Sequence, residues 1–504
     1  MTTLRQRVVA LLTAATTALA ITACSGGSTP TANGSIDVLS WWTSTSESSA
    51  LNVLVDRYEK QNPGTSVDET AVVGGGGSQA HVVLATRLAH GDPPDVWQSL
   101  VGGNITAWHN AGAVGDVSSL FTDEVKAQLP ENVLSSVSVD GKQYAAPLSA
   151  HRANVLMYNR DVLKGAGIAE PGEGYTLDQF LADLEALKAK GTTPLCIGGA
   201  DSISTAGLFE AVLLATIGKE GWERIEADRF DWSGQEVQTA LNTFGRLIDY
   251  TDATGKNNTW SEASGRLAAG ECGFYQMNDS AFAESTALND DSGATAGAAP
   301  SAGTDTDTPS SAAPSAGTDT DTPSSAAPSA GTNVDTPSSA APSAGTNVDT
   351  PSSAAPSASA SADAPSTGAS PVAATVFPGT EGMFLMVVDS FVVSSSTDNR
   401  DGANAFLTTA LDPQVETDFC KVKGCVPVRN DADVSSLTPY QQQTADALRS
   451  QTVLNSISYG EVISPAMQDG FFQAVKDYIS TRDAASFNRI LTERLNEGAG
   501  GPNH

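Results

Sequence analysis

A run of 83 residues, 289–371, interrupts this chain with almost nothing that can be buried. Residues 301–314 read SAGTDTDTPSSAAP, 315–328 repeat them, and copies with Asn-Val for Asp-Thr fill 329–342 and 343–356. A period of this kind ordinarily suggests stacked repeats. Here the four units carry only Val334 and Val348 as sizeable apolar side chains, so no core offsets the entropy of ordering. The segment is expected to be a disordered, partly polyproline-like loop open to O-glycosylation. Apolar, periodic sequence resumes on both sides, so it reads as an insertion inside a domain rather than a linker.

The N-terminus reads as an address. Arg5 and Arg7 precede the apolar run Val8 to Thr22, as in a secretory signal. The run ends in Ile21-Thr22-Ala23-Cys24, which resembles a bacterial lipobox. On that resemblance residues 1–23 are a lipoprotein signal peptide, and Cys24 carries a diacylglyceryl group. Residues 24–34 then tether the protein to the extracellular face of the cell membrane.

Charge excludes one class of partner. The chain has 58 acidic and 27 basic residues, a net charge of −31, and no basic run that could track a phosphate backbone. Nucleic acid is not expected as a partner. Four cysteines remain beyond Cys24, in a compartment that permits disulfides. Cys420 and Cys425 are close enough to clip one loop. Cys196 and Cys272 each sit in a strand-like run and can bridge if those strands are neighbours. A zinc site is the competing reading, but no further Cys or His has the spacing for it.

The folded part alternates strand and helix. Ile36–Ser40, Ser66–Val73 and Asp95–Gln98 are strand candidates. Between them, Leu51, Leu54, Val55 and Tyr58 mark one helix face, and Val82, Val83, Leu84 and Leu88 another. This βαβαβ order predicts an α/β domain with a mostly parallel sheet. Thr176 to Gln179 reads as a capping box opening a helix, Thr193–Gly198 as a further strand, and the C-terminal stretch as helices. Two α/β lobes account for the length.

No GxxxxGK[ST], HExxH or GxSxG motif occurs. Gly74–Gly77 lacks the Lys-Ser/Thr of a phosphate loop and reads as a strand-to-helix connection. Trp41 and Trp42 fall just past the first strand, Glu47 at the entry to the first helix, and Gln98 at the end of the third strand. Ligands of open α/β sheets bind beyond the carboxyl ends of the strands. Aromatic faces with a carboxylate and an amide on one rim suit a carbohydrate. One Trp could equally be core, and Glu47 a helix-N-terminal charge.

The runs IDVLSWWTSTSESSALNVLVDRYEKQNPG and AVVGGGGSQAHVVLATRLAHGDPPDVWQ resemble an extracellular solute-binding protein of a sugar ABC importer, in its glucose-binding-protein branch. The resemblance continues through PLSAHRANVLMYN, GECGFYQMNDSA and FPGTEGMFLMVVDSF and spans 35–288 and 372–504. It implies a two-lobed fold of the periplasmic-binding-protein type II kind, each lobe a mixed sheet flanked by helices, with hinge strands between. The expected first lobe is 35–146 plus 383–428; the second is 147–288 plus 372–382 and 429–504. By the same resemblance Trp41, Trp42, Glu47, Gln98, His151, Asp279 and Tyr459 contact the sugar, with Arg152 beside them either structural or liganding. No catalytic residue, cofactor or metal is implied; the partners are a sugar and the importer's membrane permease, and the protein is a monomer. Three positions depart from the branch: Leu100 replaces a Lys or His, Tyr459 a His, and Ser280 a Trp. They put glucose itself in doubt. Two alternatives are an exported hydrolase, for which only Glu47 and Asp279 could be nominated, and a wall-associated adhesin with a mucin-like segment.

Closing a loop of about 80 residues rather than about 10 adds roughly 1.8 kcal/mol of entropy. Replacing residues 289–371 by a short linker is therefore expected to preserve folding and ligand affinity and to raise stability by about 1–2 kcal/mol in urea melts. Loss of folding on deletion would show that the segment packs.

Overall fold

The computed structural model describes residues 34–291 and 370–499. Cys24, its signal segment and nearly all of the repeat insert lie outside these residues. In chain order the strands are β1 (Gly34–Ser40), β2 (Thr65–Ala71), β3 (Val96–Leu100), β4 (Ser138–Val139), β5 (Lys142–Gln143), β6 (Ala145–Arg152) and β7 (Val155–Asn159). They continue as β8 (Thr193–Cys196), β9 (Cys272–Met277), β10 (Val372–Val376), β11 (Met383–Val393), β12 (Val426–Pro427) and β13 (Thr452–Asn455).

The expected βαβαβ unit is present. β1 lies between β2 and β3 and pairs with both in parallel, joined by helices Thr45–Gln61 and Ser78–His90. Ser44 and Glu47 form a capping box on the first helix, and Gly91 at φ +71° ends the second in the left-handed conformation glycine favours. The larger sheet has the order β12-β6-β11-β3-β1-β2, with β13 beside β11. It is mixed rather than mostly parallel, because β11 enters antiparallel to both β3 and β6. The smaller sheet has the order β10-β7-β9-β8. These are the two lobes.

Strand pairing corrects the lobe boundaries expected from sequence. β6 bonds to β11 as far as Arg152, so the first crossing between sheets falls at Ala153-Asn154 and not at 147. β13, assigned to the second lobe by sequence, pairs with β11 in the larger sheet. Neither strand carries a local mark of which sheet it joins.

Asn154 locks the crossing. Its amide donates to Thr380 Oγ1 (2.8 Å) and Met383 O (3.1 Å), and its Oδ1 accepts from Leu385 N (3.1 Å). Arg152 lies beside it, donating to Met383 O (2.7 Å) and Gln451 Oε1 (2.8 Å), with its guanidinium over Phe384. Arg152 thus has a structural place.

In the second lobe Cys196 and Cys272 bridge β8 to β9 with Cα atoms 5.7 Å apart. Helix Ser202–Glu226 runs through the core and is apolar on most faces for that reason; it is long and apolar enough to cross a membrane, yet two-thirds buried here. Its Phe209 meets Phe244, Phe471 and Phe487 at 5.2–5.7 Å, which docks helices Pro465–Thr481 and Ala484–Ala499. Glu210, next along, is buried and accepts from Ile457 N (2.5 Å), Ser458 N (3.3 Å) and Ser456 Oγ (2.9 Å).

Burial pushes the Glu210 carboxyl up to about 7, against the hydrogen bonds from Ser458, Ile457 and Ser456. Below its ordinary pKa the group is protonated whether the chain is folded or not. Above that pKa and up to about 7 the native protein keeps a proton that the unfolded chain has lost, so stability falls as pH rises. From pH 5 to 8 the wild type is expected to lose about 2–4 kcal/mol more than Glu210→Gln in urea melts. Equal losses in the two proteins would show that Glu210 does not retain its proton.

Candidate functional site

The carboxyl ends of β1 and β3 face the second lobe across a cleft of about 310 Å³. One wall is set by how β1 ends. Trp41, immediately after it, lines the cleft and is held by Gln98 of β3, whose Oε1 accepts from Trp41 N at 3.1 Å. The face of the Trp41 ring lies on the glycine loop. A Cβ at Gly77 would fall 2.7 Å from the ring, and Gly77 has φ +77°, so only glycine fits. Gly76, also at positive φ, lies in ordinary contact range of Ile203 of the opposite lobe. The loop Gly74–Gly77 is therefore a thin edge of the cleft and no phosphate cradle. Behind Trp41 stand His81 (5.8 Å), then Trp108 and Trp97, in successive edge-on contacts. Burial lowers His81 to about 4, which keeps its imidazole neutral and lets it pack as an aromatic ring.

Trp42 has a different place. It is 1% exposed and wedged between Phe391 (5.6 Å) and Phe419 (5.2 Å), and it borders the cleft. It belongs to the core as much as to the site.

The floor is a buried charge cluster centred on Asp389. The register of β11 against β6 breaks between Asp389 and Ser390, the kind of irregularity that re-aims a side chain. The Asp389 carboxylate accepts from Gln98 Nε2 (3.3 Å) and Ser149 Oγ (3.2 Å) and lies 3.2 Å from both His151 Nε2 and Lys423 Nζ. His151 Nδ1 lies 2.6 Å from Asp279 Oδ1, and Arg152 N donates to Asp279 Oδ2 at 3.1 Å. Burial opposes ionisation of Asp389, but Lys423 and His151 outweigh it and hold the carboxyl well below its usual range. Burial and Lys423 disfavour the His151 cation, yet Asp279 and Asp389 raise its pKa on balance. Glu47 is the contrasting case. Burial raises its carboxyl; Lys423, 3.8 Å away, pulls it down and Asp389 pushes it up.

Lys423 ends helix Pro413–Lys423, and Cys420 and Cys425 are bridged around it with Cα atoms 4.6 Å apart. Gln441 Nε2 donates to both cysteine carbonyls, at 2.7 and 2.8 Å. The clipped turn holds the ammonium 4.9 Å above the Trp42 ring.

The second lobe supplies the other wall. Trp260 opens helix Trp260–Ala268, its backbone N donating to Asp201 Oδ2 at 2.6 Å. Met277, Asn278 and Ser280 follow from the end of β9, and Tyr459 comes from the loop that Glu210 pins. The Tyr459 hydroxyl and Asn278 Oδ1 are buried and without a protein partner.

Of the residues singled out by sequence, Trp41, Trp42, Glu47, His151 and Tyr459 line the cleft. Gln98 and Asp279 do not. Both are buried behind it, spending their polar atoms on Trp41, Asp389, His151 and Arg152. Sequence reasoning missed Trp260, Asn278, Asp389 and Lys423. A capping box, Thr259 to Glu262, marked the helix start that carries Trp260, and Asn278 and Asp389 lay inside runs already quoted. Lys423 lies in the last turn of its helix, where nothing local marks it out from a dipole-complementing cation.

The sequence pattern of bacterial extracellular solute-binding proteins matches residues 41–417. The chain belongs to that family. It is 28% identical over 264 residues to an uncharacterized ABC transporter extracellular-binding protein of Pyrococcus horikoshii, covering 51% of this chain and 60% of that one. It is 31% identical over 276 residues to a probable sugar-binding periplasmic protein of Brucella suis, covering 53% and 64%. The matched stretches thus span less than two-thirds of either relative. The fold is that of the bacterial solute receptor AcbH, described as preferring β-D-galactopyranose: TM-score 0.68 at 14% identity, over 93% of this chain and 99% of the receptor.

The position of Trp42 changes what its truncation should do. Sequence alone suggests that Trp42→Ala removes sugar contact and spares the fold. Packed on two phenylalanines, it is expected instead to cost about 3–5 kcal/mol of stability in urea melts, with Trp42→Phe costing clearly less. An unchanged melt for Trp42→Ala would place the ring outside the core.

Proposed function

We propose that this solute-binding protein captures a small sugar between its lobes and delivers it to an ABC importer. The observation that carries the reading is the pairing of opposed walls with unspent polar groups. Trp41 and Trp260 face the cleft from different lobes, and the Tyr459 hydroxyl and Asn278 Oδ1 lack protein partners there. Aromatic faces take the C–H face of a sugar ring, and buried polar atoms without partners are satisfied by its hydroxyls. About 310 Å³ is at the low end of ligand pockets, which favours one or two rings. Binding rather than hydrolysis is the better reading, because Asp279 is 0% exposed and its carboxylate is committed to His151 and Arg152. Glu47 thus has no second nominated carboxylate across the cleft. A lipid on Cys24 would hold the receptor at the extracellular membrane face, and the lipobox-like run before it supports that placement.

Leu100 shapes specificity. It lines the cleft and offers no donor, so a sugar hydroxyl facing it is left unpaired at about 1–3 kcal/mol. Calorimetry with D-glucose, D-galactose, D-xylose and maltose is expected to show one of the others binding at least about tenfold tighter than glucose. Tight glucose binding by the wild type, with no gain in Leu100→Lys, would remove Leu100 as a determinant. Failure of every sugar, with Tyr459→Phe and Trp41→Ala also silent, would remove the sugar reading.

A further inference from the structure

At the rim of the cleft, outside its lining, a carboxylate joins the two lobes. Glu284 lies on helix Asp279–Asp291, which packs on helix Trp260–Ala268 of the second lobe. It is 2% exposed. Its Oε1 accepts from Ser261 Oγ (3.0 Å), within its own lobe. Its Oε2 accepts from Ser46 Oγ (2.6 Å) and Ser46 N (3.4 Å) across the gap. Ser46 sits in the first turn of helix Thr45–Gln61, the helix that Glu47 and the Trp41-Trp42 pair lead into. One carboxylate therefore bonds to the first turns of two helices from opposite lobes, where both dipoles favour an anion.

We infer that Glu284 is the latch that stabilises lobe closure. This rests on the reading of the cleft as the ligand site. Neither Glu284 nor Ser46 lines the cleft, so the pair cannot act by touching ligand. The bond exists only while the lobes are together. When they part, both groups return to water, and the closed state loses a charge-assisted contact that ligand contacts alone must then replace. A contact made in one of two states changes affinity only by shifting that equilibrium, and it does so chiefly through the rate of opening. The close fit beside it points the same way. Ala283 touches Gly424, where a Cβ would lie 2.1 Å from the Ala283 methyl, so this helix meets the Lys423 turn without room for a larger residue.

The test is stopped-flow dissociation of whichever of D-glucose, D-galactose, D-xylose and maltose binds the wild type. Ser46→Ala and Glu284→Ala are each expected to raise the off-rate about five- to fiftyfold, with on-rates changed less than about threefold. The double variant should do no more than either single one, and Glu284→Gln, which keeps one acceptor oxygen, should lose less. Unchanged off-rates, or effects that simply add, overturn the latch. If none of those sugars binds, the reading of the cleft fails separately, and X-ray scattering of the sugar-free protein decides the latch. A larger radius of gyration in both Ser46→Ala and Glu284→Ala supports it, and identical radii overturn it.

Discussion

The Asp389 carboxylate is the fixed point of this molecule. It sits where β11, having crossed from the second lobe, breaks register beside β6, and it gathers Gln98 from β3, Ser149 and His151 from β6, and Lys423 from a helix end. A buried charge is tolerable only when it is paired and hydrogen-bonded, and removing one member of such a set costs about 3–5 kcal/mol. The cluster therefore fixes the relative places of the strands that carry the cleft. Through His151 it also reaches Asp279, at the start of the helix that follows β9, so both lobes are tied to it. The tryptophan wall depends on it as well, since the amide that holds Trp41 N is the one that donates to Asp389.

Much of this was legible in the sequence, and the pattern of what was not has a physical cause. The β1–β2–β3 unit has period-2 and period-3.6 signals with capping and glycine punctuation, and its elements fall within a few residues of expectation. β6 and β11 carry no such information about partnership. They are buried along nearly their whole lengths, so no alternation of buried and exposed residues marks their faces, and which sheet they join is decided by residues hundreds of positions away. The site divides along the same line. Trp41, Glu47 and Gln98 sit next to strand ends that can be read locally. Lys423 enters only because the chain folds that helix end over Trp42, and no local pattern distinguishes it from a cation placed to complement a helix dipole. Gln98 and Asp279 were found but misplaced by one layer. A polar side chain at a strand end can serve the ligand or the residue that serves the ligand, and only the hydrogen-bond geometry separates the two.

Two glycine positions explain why the rims of the cleft are thin. Gly77 lets the loop after β2 lie flat on Trp41, and Gly424 lets the Lys423 turn meet helix Asp279–Asp291 without a gap. Each has a positive φ, so the conformation and the close approach make the same demand on residue type. The helix met by Gly424 carries Glu284 next to the contact and ends at Asp291, shortly before the repeat begins, while β10 starts just after it, at Val372. The insert thus interrupts the chain between that helix and β10, after the residues that bridge the lobes.

Lys423 lowers both carboxylates of the floor, yet their net shifts differ in sign, because burial outweighs the cation at Glu47 and not at Asp389. Asp389 has Gln98, Ser149, His151 and Lys423 around its two oxygens, so its acceptor capacity is spent inside the protein. Glu47 has Ser44, whose N donates at 3.5 Å, and Lys423 at 3.8 Å. Its lone pairs are open to the cleft, while burial raises its pKa and brings its neutral, donating form closer to reach. Asp389 therefore acts as scaffold, holding Lys423 and Gln98 in place. Glu47 is the carboxyl that faces the cleft with the fewer protein partners. The floor is in this way highly charged yet presents a single adaptable acid beside one ammonium, a combination that suits the mixed donor and acceptor edge of a neutral sugar better than a ligand of fixed charge.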